Sequence, residues 1–173
     1  MKRFRFTAVA GVLCMLGLPL LALADDHQNK GRHFKTHLVG FNETPSVSTD
    51  GEGDLRLEIN ANDTSIDFTL SYENLTGNPA VAHIHLGQRH TAGMVSVFFC
   101  GGGGKPACPA QPATITGTIV AADVLGPTAQ GLSAGDLAAL IRAIRAGATN
   151  ANAHTVKFPA GEIRGQIRRG GDD

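Results

Sequence analysis

The apolar residues of this chain recur with a period of two. Leu55, Leu57 and Ile59 alternate with Asp54, Arg56 and Glu58, and Ile66, Phe68, Leu70 and Tyr72 alternate with polar residues. Successive side chains of an extended strand point to opposite faces, so each segment predicts a strand with one face buried. A helix built on this pattern would spread its apolar groups around its whole circumference. Residues 60–63 supply the turn of a hairpin between the two segments. Residues 34–41, 80–87, 114–120, 153–156 and 162–167 add further strands, with turns marked by Pro45, Gly51, Gly53 and Gly77-Asn78-Pro79. Residues 94–99 are almost continuously apolar, which predicts a central strand buried on both faces.

One segment has helical spacing. Leu137, Leu140, Ile141 and Ile144 stand at i, i+3, i+4 and i+7, predicting a helix over about 134–146. Ser133 with Asp136 resembles a capping box, and Gly147 is a good stop. Many short strands with one helix in a long connection predict a mainly β, antiparallel sandwich or barrel. No repeat is visible, and helices do not alternate with strands as a βαβ fold requires.

The first residues predict export. Lys2, Arg3 and Arg5 precede an apolar run from 6 to 21, and Ala22-Leu23-Ala24 is a small-residue cleavage site. On this reading residues 1–24 are a signal peptide, 25–33 a disordered linker, 34–168 one domain and 169–173 a disordered tail. The remaining 149 residues suffice to bury about two-thirds of the unfolded surface. They carry 12 Lys+Arg against 15 Asp+Glu, a net balance that does not favour nucleic acid or an anionic membrane. The expected location is periplasmic or extracellular, with an unidentified protein or extracellular ligand as partner. An oxidising compartment makes a Cys100–Cys108 disulfide the default across the glycine-rich loop between them; a redox pair lacks the Cys-x-x-Cys spacing and a following helix.

Two apparent catalytic motifs dissolve on inspection. Gly131-Leu132-Ser133-Ala134-Gly135 matches G-x-S-x-G, but loop residues precede it where a nucleophile elbow needs a strand. The glycines before Lys105 lack phosphate-loop spacing. No catalytic residue is assigned. Asn42-Glu43-Thr44, Asn62-Asp63-Thr64 and Asn74-Leu75-Thr76 match the glycosylation sequon.

The histidines carry more chemistry. His83 and His85 share one face of a strand, about 7 Å apart along it, with Ile84 on the other face. With His154 near a later strand they form a three-imidazole set suited to copper or zinc with an open position. The alternative is a buried set of histidines bonded to backbone and to carboxylates such as Glu43 and Glu162. Glu162 and Arg164 lie on one face and are expected to pair, together or separately, as structural polar residues. Cleavage after Ala24 would also expose Asp25-Asp26-His27, whose amine, two amides and imidazole form a square-planar site for Cu²⁺.

Four segments together resemble the CHRD domain, the family named for its occurrence in chordin: Leu38-Val39-Gly40-Phe41-Asn42-Glu43-Thr44-Pro45, Ala82-His83-Ile84-His85-Leu86-Gly87, Asn152-Ala153-His154-Thr155 and Pro159-Ala160-Gly161-Glu162-Ile163-Arg164-Gly165-Gln166. The resemblance covers about 34–167. It implies an exported, immunoglobulin-like Greek-key β-sandwich and, from its occurrence beside growth-factor binding in chordin, a non-catalytic binding or structural module. Ala153 stands where the family commonly has Val, and only some members carry the Cys100–Cys108 loop. A looser resemblance is to copper/zinc superoxide dismutase, where a His-x-His strand and a later histidine ligate copper. The zinc-binding loop of that family is missing here, so this resemblance implies at most a copper or zinc site.

Overall fold

The structure, a computed structural model, describes residues 31–171. The proposed signal peptide, its cleavage point, His27 and the end of the tail lie outside them. Each alternating segment is a strand: β1 His33–Val39, β2 Glu52–Ile59, β3 Ile66–Glu73, β4 Pro79–Leu86, β5 Met94–Cys100, β6 Ala113–Ile119, β7 Thr149–Thr155, β8 Ile163–Gln166 and the short β9 Arg168–Arg169. All pairings are antiparallel. β9 pairs with β1, with Phe34 opposite Arg169 and Lys35 opposite Arg168.

The hydrogen bonds run as one order, β5-β4-β7-β8-β1-β2-β3-β6. They do not divide the strands into the two sheets of a sandwich. β1 is the seam, bonded to β2 on one side and to β8 and β9 on the other. The sheet curls until its ends approach, with the rings of Phe68 on β3 and Phe99 on β5 4.8 Å apart. The result is nearly a barrel. Leu38, Leu55, Ile59, Ile66, Leu70, Ile84 and Ile163 fill its interior.

The apolar run at 94–99 is not central: β5 ends the order. Its free edge is covered by the long connection from β6. The Leu125 N–H donates to Ser96 O at 2.9 Å, and the Gln130 side chain accepts from Met94 N and donates to Leu86 O. Covering an edge in this way removes the unpaired donors that would otherwise recruit another strand. Burial on both faces therefore arises from curl and cover, not from central position.

The helix, α1, is shorter than its periodicity suggests and spans Leu137–Arg145. Its cap is Asp136, whose carboxylate accepts the Ala139 N–H at 2.8 Å; Ser133 lies in the preceding turn and caps nothing. An anionic cap satisfies an otherwise orphaned donor and complements the helix dipole. Gly147, at φ +66°, stops the helix. Leu137, Leu140, Ile141 and Ile144 are its buried stripe, as the spacing predicts.

Cys100 and Cys108 are joined. Beyond the bridge, Tyr72 Oη donates to Pro109 O at 2.6 Å, and burial pushes its phenol up to about 12. Native protein is expected to show no free thiol before reduction and two after it. Cys100→Ala should cost about 2 kcal/mol or less, because the closed loop is short; denaturant unfolding of oxidised and reduced protein gives the comparison.

Candidate functional site

Outward-facing side chains of β4, β7 and β8 form a second, polar layer. Alternation places Ala82, Ile84, Ala151, Ala153 and Ile163 in the core, so their neighbours face outward. The ladders align those neighbours in rows. Phe98, His83, Asn152 and Arg164 stand opposite one another across four strands, and His85, Asn150 and Gln166 form the next row. His83, His85, Asn150, Asn152 and Arg164 are nonetheless buried.

The three histidines converge. Register shifts in the β4–β5 ladder fall immediately before each histidine of the pair, between Ala82 and His83 and between Ile84 and His85. The His83 and His85 ring centroids are 4.5 Å apart, much closer than an ideal pleat would give, and His154 stacks edge-on 4.7 Å from His83. Phe98 packs against the remaining side of His83 at 5.1 Å. One nitrogen from each imidazole can be chosen so that all three lie within 4.8 Å of one another.

Backbone carbonyls set two of the tautomers. His85 Nδ1 donates to Gly93 O at 2.7 Å and His154 Nδ1 donates to Pro159 O at 2.9 Å. Each Nε2 is then left with its lone pair. His154 Nε2 and His83 Nδ1 are buried without a hydrogen-bond partner. His85 Nε2 lies 3.1 Å from Asn152 Oδ1, so two acceptors face each other. Turning the Asn152 amide only moves the conflict, because its nitrogen now donates to Glu43 Oε1 at 3.3 Å.

Protonation does not resolve this near neutral pH. Burial, followed by the charges of His85, His154 and Arg164, pushes His83 down to about 3. Burial and then Arg164 also push His85 downward, against the hydrogen bonds from Gly93 and Asn152. Both rings are therefore neutral at pH 7, the form in which imidazole ligates metals.

The two glutamates do not take the imidazole-acceptor role, and Glu162 and Arg164 find separate partners. Glu43 Oε2 takes Arg164 Nε at 2.8 Å, and Arg164 Nη1 donates to Asn150 Oδ1 at 2.6 Å. Glu162 does not pair with Arg164. It accepts from Thr49 Oγ1 at 2.7 Å, from Thr76 N at 2.7 Å and Oγ1 at 2.8 Å, and from Thr155 Oγ1 at 2.6 Å. Burial raises its carboxyl, yet these four hydrogen bonds outweigh that and hold it below the usual range.

The glycines flanking this motif are dictated by close approach. A Cβ on Gly161, at φ +123°, would stand 2.4 Å from Glu43 Oε1, and one on Gly165 would meet Thr36 Oγ1 at 2.3 Å. Thus Gly-Glu-Ile-Arg-Gly is spaced to seat one buried ion pair and one caged carboxylate.

Sequence reasoning named His83, His85, His154, Glu43, Glu162 and Arg164, and the structure brings all but Glu162 into one contact network. It missed Asn150, Asn152 and the threonines around Glu162. A signal for the asparagines was present, since Asn150, Asn152 and His154 alternate with Ala151 and Ala153. Neither a curated protein nor a solved structure matched the chain. The family model described as the CHRD domain matches residues 34–167, most of the chain and all of the layer just described, so the chain belongs to the CHRD domain family.

Proposed function

We propose that this protein is an exported, non-catalytic binding module whose His83, His85 and His154 hold one copper or zinc ion. The observation that carries the reading is that one nitrogen from each of the three imidazoles lies within 4.8 Å of the others, in a cluster where His83 Nδ1 and His154 Nε2 are buried and partnerless. Histidines that ligate metals characteristically donate their other N–H to a carbonyl or carboxylate, which His85 and His154 do. A cation beside His85 Nε2 would also resolve its opposition to Asn152 Oδ1. Ligands ~2.0–2.1 Å from a tetrahedral ion stand about 3.4 Å apart, so binding requires the widest-spaced rings to close by about 1.4 Å. The alternative is that the layer is purely structural, with imidazoles serving as packing groups.

The export reading rests on the basic, apolar and A-x-A pattern of residues 1–24. Mass spectrometry of the secreted or periplasmic protein should find Asp25 as its first residue.

The metal test uses untagged mature protein loaded with Cu²⁺ or Zn²⁺ and dialysed. We expect about one equivalent held at this site, retained in His27→Ala, which removes the amino-terminal alternative, and lost in His83→Ala and His154→Ala. Failure of the His27→Ala protein to retain any metal would leave the structural alternative standing.

A further inference from the structure

The outer face of β1, β2 and β9 carries an open groove of about 500 Å³, which His83, His85 and His154 do not line. Five cations line it: Lys35, Arg56, Arg89, Arg168 and Arg169. The only carboxylate in its lining is Asp54, which faces His37 Nδ1 at 3.2 Å. The ladders bring three of the cations into one row, because Lys35 stands opposite Arg56 on β2 and opposite Arg168 on β9. Neighbouring strands are about 4.8 Å apart, so this row places three positive side chains along roughly 10 Å.

Like charges directly opposite one another across a ladder destabilise a sheet. Three cations outside the groove are each held by a carboxylate: Lys105 by Asp123, Arg145 by Asp63 and Arg164 by Glu43. Among the described residues, Arg56, Arg89, Arg168 and Arg169 make no such pair. Four arginines without such a pair in one groove, Arg56, Arg89, Arg168 and Arg169, are a concentration of charge that a bound polyanion would neutralise.

The lining also selects the class of polyanion. It contains no Phe, Tyr or Trp, the platforms on which single-stranded nucleic acids stack. Its one aliphatic side chain, Leu55, is buried in the core, so nothing apolar is presented for insertion among lipid headgroups. What remains is a row of charges with polar flanks from Thr36, Asn42 and Gln166, groups that suit hydroxyl-rich rings carrying carboxylate or sulfate. We propose that this groove binds a linear anionic polysaccharide, independently of any metal at the histidines.

The experiment measures binding of mature protein to heparin, as the sulfated probe, and to alginate, as the carboxylated one, over a series of salt concentrations. Saturable binding to either probe is expected, falling steeply with salt. Arg56→Gln, Arg168→Gln and their combination should weaken it, and each cation removed should flatten the log–log salt slope by about one. Because Arg56→Gln relieves a like-charge contact, its Tm should be unchanged or higher while binding falls, which separates loss of a ligand contact from loss of the fold. Arg142→Gln and Lys157→Gln, exposed cations outside the groove, should bind as the parent does. Equal weakening by those two, absence of saturable binding to both probes at low salt, or equal affinity for a single-stranded oligonucleotide or for anionic phospholipid vesicles would each overturn the proposal.

Discussion

Glu43→Ala is expected to lower folding stability by about 3–5 kcal/mol, the range for breaking a buried ion pair from one side. Glu43 and Arg164 side chains are only 2% and 7% exposed, and they meet at 2.8 Å. Removing the carboxylate strands a guanidinium that cannot lose its proton, with Asn150 Oδ1 as its remaining side-chain acceptor. It also deprives Asn152 Nδ2 of its acceptor. Urea unfolding at pH 7 gives the cost. The double variant Glu43→Met with Arg164→Met should recover a large part of it, because no charge is then left buried. A single-variant cost below about 1 kcal/mol would mean that Arg164 reaches water, as an exposed pair does.

Stability of metal-free protein is expected to decline as pH falls from about 6.5 toward 3, before ordinary carboxylates dominate. The unfolded His83 imidazole takes up its proton near 6.5 and the folded one only near 3. Between those values the unfolded chain binds more protons, so stability rises with pH there and is lost on acidification. His85 is shifted in the same direction and adds to the loss. Glu162 acts lower on the scale: its folded carboxyl lies below 4.5, so its contribution is present above that value and disappears as pH falls through the folded value. Thermal melts at half-unit intervals should show a broad decline of several kcal/mol in total, on the order expected for shifts of this size. His83→Phe should flatten the upper part of the profile and leave the lower part. A profile level down to pH 5 in the parent protein would show that His83 is hydrated.

The strands were legible because alternation is a local property: β2 and β3 can be drawn from Leu55–Ile59 and Ile66–Tyr72 with little knowledge of the rest. The stripe of α1 and the shared face of His83 and His85 follow from the same reasoning. Local pattern also misled. The run at 94–99 reports burial, and burial is equally well supplied by a covering loop as by a neighbouring strand. Ser133 and Asp136 both suit a cap, and the choice depends on where the incoming chain leaves the β5 edge, with Gly135 N bonded back to Val124 O.

By itself the sequence determined the mainly β character, the helix around Leu137–Arg145, the cysteine pair and the family, since each rests on residue types at fixed spacings along the chain. Partnership was decided only by tertiary structure. That Glu43 finds Arg164, 121 residues away, that Glu162 is caged by threonines from three separate segments, and that Lys35 stands between two arginines depend on ladder register. Register is set by the sum of core contacts over the whole curled sheet, and a slip of one residue would turn every one of these side chains to the opposite face.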